Sequence, residues 1–443
     1  MKKKLGQEPI YDVRELGLPR TLLLGLQHLF AMFGATVLVP ILVQSYGMPL
    51  SIQTTLLCAG MGTLFFHLCT KFKVPAFLGS SFAYLGGFAA VANLNTGKYA
   101  SMTGAEKLPY ALGGIVVAGL LYLVLALLFK IAGVNKVMRF FPPIVTGPMI
   151  ILIGLNLAGS AVTNASTNWP LALVAIAIII AANIWGRGMI KIIPILLGVV
   201  GSYIVAVCFH LVDFSGVAAA NTVGLQDFVL AKFDVTSILV MAPISIATMM
   251  EHIGDISAIS STTGRNFIAD PGLHRTLLGD GLATSLAGFV GGPANTTYGE
   301  NTGVLALSRV YDPKVIRLAA LYAVVLSFFP KFAALVNSIP TAIVGGVSFI
   351  LYGMISAVGV RNVVENHVDL TKSRNLIIAA VMFVSGLGFS QGVTFTIGSA
   401  NITLTCLAIA ALAGVLLNAI LPGNDYQFGV DVTGDKSADL GSY

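Results

Sequence analysis

The sequence predicts an all-α polytopic membrane protein, fourteen transmembrane segments arranged as 7+7 inverted repeats. Hydropathy, the distribution of basic residues, and two broken segments at matching positions predict it. Of 443 residues, 56% are hydrophobic and only 10% charged, with a mean hydropathy of +0.88. Soluble domains carry about 25% charged residues.

A spanning helix needs about 20 apolar residues. Candidates lie near 21–43, 51–70, 74–92, 110–132, 141–161, 169–185 and 190–212 in the first half. The second half offers 235–259, 274–290, 295–310, 315–335, 339–357, 375–390 and 402–421. With the N-terminus inside, only Lys98, Lys107, Lys232 and Lys331 of the 25 basic residues fall outside. Such positive-inside asymmetry predicts that both termini are cytoplasmic. The tail after Pro422 and the stretch from Arg361 to Arg374 read as polar cytoplasmic segments. Acidic residues come after the N-terminal lysines, so no cleavable signal peptide is expected.

The net charge of +6 tracks topology and predicts no nucleic-acid partner. Cys58, Cys69, Cys208 and Cys406 lie in apolar runs without metal-ligand spacing, so they read as core residues with no disulfide. No metal or cofactor is expected.

Faint echoes support two halves. Gln27-His28 in segment 1 resembles Glu251-His252 in segment 8. Phe141-Pro142, with Gly147 and Gly154, resembles Ile339-Pro340, with Gly345 and Gly353. Seven is odd, so the halves would be inverted, an arrangement that places a transporter site near the midplane. The third segment of each half is interrupted, by Pro75 and Gly79 in one and by Gly291-Gly292-Pro293 in the other. Broken segments expose backbone groups that a polar substrate can satisfy.

Glu251, Asp255 and Glu300 are acidic groups in otherwise apolar stretches. An ionised carboxylate in hydrocarbon costs at least a few kcal/mol, so such groups face a cavity, a partner or a proton. Glu251 and Asp255 share a helix face, four residues apart. Asp280 reads as a partner for Arg275, and Asp312 as a group in a cytoplasmic loop.

These stretches resemble the nucleobase–ascorbate transporter family (nucleobase:cation symporter-2), in its bacterial uracil permease branch. The similarity is carried by Gln27-His28-Leu29-Phe30 in segment 1 and by Ala76-Phe77-Leu78-Gly79-Ser80-Ser81-Phe82 in segment 3. Further on, Glu251-His252-Ile253-Gly254, Asp270-Pro271-Gly272 and Asn295-Thr296-Thr297-Tyr298-Gly299-Glu300-Asn301 carry it. Asn301-Thr302-Gly303 and then Ser308-Arg309 match the family signature, with Ser308 replacing the usual Thr.

The resemblance implies a core domain of 21–132 (segments 1–4) and 235–335 (segments 8–11). It implies a gate domain of 141–212 (segments 5–7) and 339–421 (segments 12–14). Short β-strands in segments 3 and 10 would meet at the substrate. By position, Glu251 and Glu300 are the expected substrate carboxylates, and Phe82 and Gly299 the strand residues whose backbone faces the base. Tyr298 flanks that site, and Tyr352 is expected on its gate side. Asp255, Glu251, Glu300 and His28 are the candidates for proton coupling; Asp255 stands where some relatives carry His. The implied function is proton-coupled uracil import across the bacterial cytoplasmic (inner) membrane, not an enzyme. A homodimer through the gate domain is also implied. A purine, xanthine or urate permease and a non-transporting receptor are the alternatives.

Overall fold

The computed structural model describes residues 8–389, 392–397 and 400–423. The chain forms α1 (Leu18–Ser45), α2 (Ile52–Cys69), β1 (Leu78–Ser80), α3 (Leu85–Ala92), α4 (Gly104–Ala132), α5 (Pro143–Ser166), α6 (Trp169–Ile184) and α7 (Pro194–Cys208). It continues with α8 (Ile244–Thr263), α9 (Leu273–Val290), β2 (Asn295–Thr297), α10 (Gly299–Ser308), α11 (Pro313–Leu326), α12 (Thr341–Glu365), α13 (Ser373–Gly388), β3 (Val393–Ile397), β4 (Ala400–Leu404) and α14 (Cys406–Ile420). Among the described residues, α1, α2, α4, α5, α12 and the run 235–263 are long and apolar enough to cross a membrane. A seventh candidate is α11 with Pro330–Asn337, bent by 90°. Several shorter apolar helices complete a multi-pass membrane protein.

Segments 3 and 10 are each a strand leading into a half-helix. β1 pairs antiparallel with β2, Leu78 opposite Thr297 and Ser80 opposite Asn295. A strand pair this short is marginal alone, and unpaired edges are costly away from water. Neighbouring helices supply the missing partners. Thr63 of α2 accepts from Leu78 N at 2.9 Å and donates to Leu78 O at 3.1 Å. Thr284 of α9 donates to Asn295 O at 2.9 Å.

The tyrosine after β2 locks the pair from the other side. Tyr298 lays its ring across Gly79, where any Cβ would collide with it. Its hydroxyl donates to Ser80 O at 2.9 Å.

α5 and α12 run antiparallel in close contact. Gly147 lies against Val363, Gly154 against Tyr352 and Ser356, and Gly345 against Asn164 and Ala165. Small residues let membrane helices approach at backbone distance.

Several details differ from the sequence expectation. α4 begins at Gly104, not near 110, because Thr103 and Glu106 form a capping box. That start carries Lys107 inward, where its Nζ donates to the carbonyls of Ala92 and Leu94 at 2.7 Å each. The unanticipated hairpin β3–β4 lies between predicted segments 13 and 14, with the end of β4 overlapping the start of the latter. Its Val-Thr-Phe-Thr-Ile alternation has the period of a strand. Asp312 is not a free loop group. It is buried, caps α11 through Lys314 N, and accepts from Val13 N at 3.0 Å. Ile10 bridges Arg309 and Tyr311, and Tyr11 donates to Thr263 O at 2.8 Å. The N-terminal segment thus ties the end of α8 to the turn after α10.

Candidate functional site

A cavity of about 240 Å³ lies between α8 and the β2–α10 break on one side and α12 on the other. Its wall includes Phe82, Glu251, Asp255, the backbone run Thr296–Gly299, and Met354, Ile355 and Arg361. Pockets for drug-sized ligands span roughly 300–1,000 Å³, so this one suits a smaller molecule. Its inner end, at Phe82 and Thr296–Tyr298, is buried; its mouth carries exposed Gly303, Ala306 and Arg361.

Helical spacing brings Glu251 and Asp255 to the cavity together, as the sequence predicts. Glu251 is half-buried and Asp255 buried. Asp255 Oδ1 stands 3.4 Å from where a Gly299 Cβ would lie. Gly299 is the first residue of α10, so Asp255 sits at a helix N-terminus, where unbonded N–H groups favour negative charge. Glu300 is the second residue of α10, and its side chain lies outside the described residues.

Other predicted site residues fall differently. Phe82 opens a 3₁₀ turn after β1 and Gly299 opens α10; neither belongs to a strand. Tyr298 contributes to the wall, but its hydroxyl is engaged with Ser80, 3.4 Å from Thr36 Oγ1. Tyr352 is fully buried and not part of the cavity wall. It meets Phe82 edge-on, with ring centroids 5.6 Å apart. His28 is also away from the cavity, buried where Asn301 Nδ2 donates to its carbonyl at 3.3 Å.

Asp280 does not pair with Arg275. Five residues on a helix turn the two side chains about 140° apart, and Arg275 donates to Cys69 O at 3.2 Å. Asp280 Oδ2 instead lies 2.7 Å from Nδ1 of His252, both fully buried. The same Nδ1 is 2.7 Å from Thr297 Oγ1.

Sequence reasoning expected segment 12 at the site but named Tyr352 there, and missed the α12 residues that line the cavity, Met354, Ile355 and Arg361, as well as Ile150 of α5. The apolar members carry no chemical signal that separates them from lipid-facing neighbours.

A family model described as Permease family matches residues 19–395. The uracil permease of Bacillus caldolyticus is 44% identical over 432 residues, covering 94% of this chain and 95% of that one. The chain belongs to the nucleobase–ascorbate transporter family. The uracil permease of Bacillus subtilis (strain 168) is 41% identical over 416 residues, 90% of this chain and 91% of its own. The putative pyrimidine permease RutG of Escherichia coli (strain K12) is 38% identical, with 91% and 89% covered.

Solved structures resemble this member of the family in fold. The transmembrane domain of the cyanobacterial bicarbonate transporter BicA aligns with a TM-score of 0.59 at 15% identity, covering 93% of this chain and 99% of that one. SLC26A9 aligns at 0.64 and 12% identity, covering 92% and 66%.

Proposed function

We propose that this chain imports uracil across the bacterial cytoplasmic membrane by alternating access, coupled to protons. The carrying observation is the cavity itself: two carboxylates, Glu251 and Asp255, line it together with the break between β2 and α10, where the first N–H groups of α10 have no intrahelical partner. The relatives named as uracil permeases match it over most of their length.

Uracil is neutral and planar, with two N–H donors and two carbonyl acceptors. Glu251 and Glu300 accept from the N–H groups, and backbone N–H groups near Gly299 and Phe82 donate to the carbonyls. Phe82 supplies an apolar face. A site built to accept from an N–H rejects analogues lacking it, since the carboxylate is then left unpaired. Asp255 tunes the protonation of Glu251, its neighbour on the same helix face.

In this reading segments 1–4 (21–132) and 8–11 (235–335) form a core. Segments 5–7 (141–212) and 12–14 (339–421) form a gate, and the protein is a homodimer through it. The antiparallel pairs β1–β2 and α5–α12 support fourteen segments in two inverted sevens, since each joins corresponding elements of the halves. With both termini cytoplasmic, Arg361 lies at the inner end, so the cavity faces inward and the Phe82–Tyr352 contact is the closed outer gate.

Uptake of radiolabelled uracil into energised vesicles tests this, with a panel of bases as competitors. The expectation is acid-stimulated uptake, blocked by uracil and 5-substituted uracils but not by xanthine. Preferential competition by purines would move the substrate class, and binding without uptake would make the protein a receptor.

A further inference from the structure

We propose that Asp280, His252 and Thr297 form a positioning relay that holds β2 in place, so that Asp280 governs ligand affinity without touching the cavity. Asp280 lies on α9, which contributes no residue to the cavity wall.

Asp280 and Thr284 are four residues apart on α9 and share a face. Thr284 holds one end of β2 directly, donating to Asn295 O at 2.9 Å. Asp280 reaches the other end through His252, whose Nδ1 lies 2.7 Å from both Asp280 Oδ2 and Thr297 Oγ1. One face of α9 thus grips both ends of a three-residue strand.

His252 suits this task through its tautomer. Its Nε2 is buried with no hydrogen-bond partner among the described residues, and the ring is met edge-on by Phe66, with centroids 6.3 Å apart. A proton on Nε2 would be a buried donor without an acceptor, a costly group. The hydrogen therefore sits on Nδ1, shared between the Thr297 hydroxyl, its hydrogen-bond partner, and the Asp280 carboxylate, which lies at contact distance without a directional hydrogen bond of its own. A buried carboxylate fixing an imidazole that in turn orients a working element is a recurring device.

Thr297 matters because it sets the position of the next helix. Two residues later Gly299 begins α10 and abuts Asp255, and Glu300 comes next. Glu251 is the chain neighbour of His252. A loosened Thr297 displaces the start of α10 relative to the cavity carboxylates.

The ligand arm of the test rests on uracil as ligand; the other arm needs no ligand. In purified full-length protein, hydrogen exchange of backbone amides in 293–299 is measured beside uracil affinity. Asp280→Asn keeps the shape but removes the negative charge beside the imidazole N–H, and Thr297→Val removes the hydroxyl. Each should speed exchange and weaken uracil binding about tenfold. Thr297→Ser, which keeps the hydroxyl, should show the parent's protection of 293–299. The double variant should be no worse than Thr297→Val, because both changes cut one linkage.

Unchanged exchange in Thr297→Val, or multiplied effects in the double variant, would overturn the relay. If Asp280→Asn does not fold, Thr297→Val against Thr297→Ser decides alone: equal protection of 293–299 in both rejects the proposal. Loss of uracil binding by the parent, with the exchange pattern as expected, would reject the uracil assignment and leave the relay standing.

Discussion

Tyr298→Phe separates a residue that holds the site from one that reads the substrate. The hydroxyl donates to Ser80 O at 2.9 Å and lies 3.2 Å from Ser80 Oγ and 3.4 Å from Thr36 Oγ1. It is therefore spent on β1 and α1. Hydrogen bonds between membrane segments contribute about 0.6 kcal/mol on average and up to about 1.7. An acceptor left unsatisfied adds about 1–3 kcal/mol, less whatever its other bonds retain. The expected destabilisation is about 1–2 kcal/mol, visible as a lower unfolding temperature of the purified protein. The ring still covers Gly79, so the β1–β2 register survives. Uracil affinity, measured by calorimetry on the folded fraction, should stay within about threefold, because the hydroxyl's bonds to Ser80 and Thr36 lie in β1 and α1. A hydroxyl that bonded the base would show the reverse pattern, costing up to roughly tenfold in affinity. Such a loss at unchanged unfolding temperature would refute the assignment of Tyr298 to positioning.

Glu251→Gln should weaken uracil binding about ten- to a hundredfold, the loss of one charge-assisted bond of about 1.5–3 kcal/mol; exposed Asp213→Asn is the control, and binding by titration checks both. Asp255→Asn should keep binding but flatten the dependence of uptake on external pH, measured in vesicles from about pH 5 to 8. Lys107→Met should destabilise the protein, since two carbonyls at the end of α3 lose a charged donor; an unaltered unfolding temperature would count against that cap. Asp234 caps the helix Val235–Met241. Burial there would raise its carboxyl, but the bonds from Lys98 and Tyr99 outweigh it and hold it below the ordinary carboxylate range. A depressed carboxyl adds stability above its unfolded value and loses it as pH falls through its folded one. The deficit of Asp234→Asn in thermal unfolding should therefore be full near neutral pH and shrink in strong acid.

The features legible in the sequence obey one-dimensional rules. Apolar length locates the helices, and the spacing of four residues puts Glu251 and Asp255 on one face. The glycines and prolines of segments 3 and 10 mark the breaks where β1 and β2 pair. The misreadings share one cause: each gives a polar residue the nearest available role along the chain. Asp280 looks like a partner for Arg275, yet its contact is His252, 28 positions earlier. Asp312 looks like a loop acid, yet it receives Val13 N from the far end of the chain. Each of these contacts is long-range, and each brings a buried polar group to a partner that its neighbours in sequence do not supply. In a chain this poor in charge, a buried acid is therefore better read by asking which backbone or strand it must hold. Only Glu251 and Asp255, among the acids whose side chains are described, face the cavity instead, and that orientation makes them the candidates for substrate and proton.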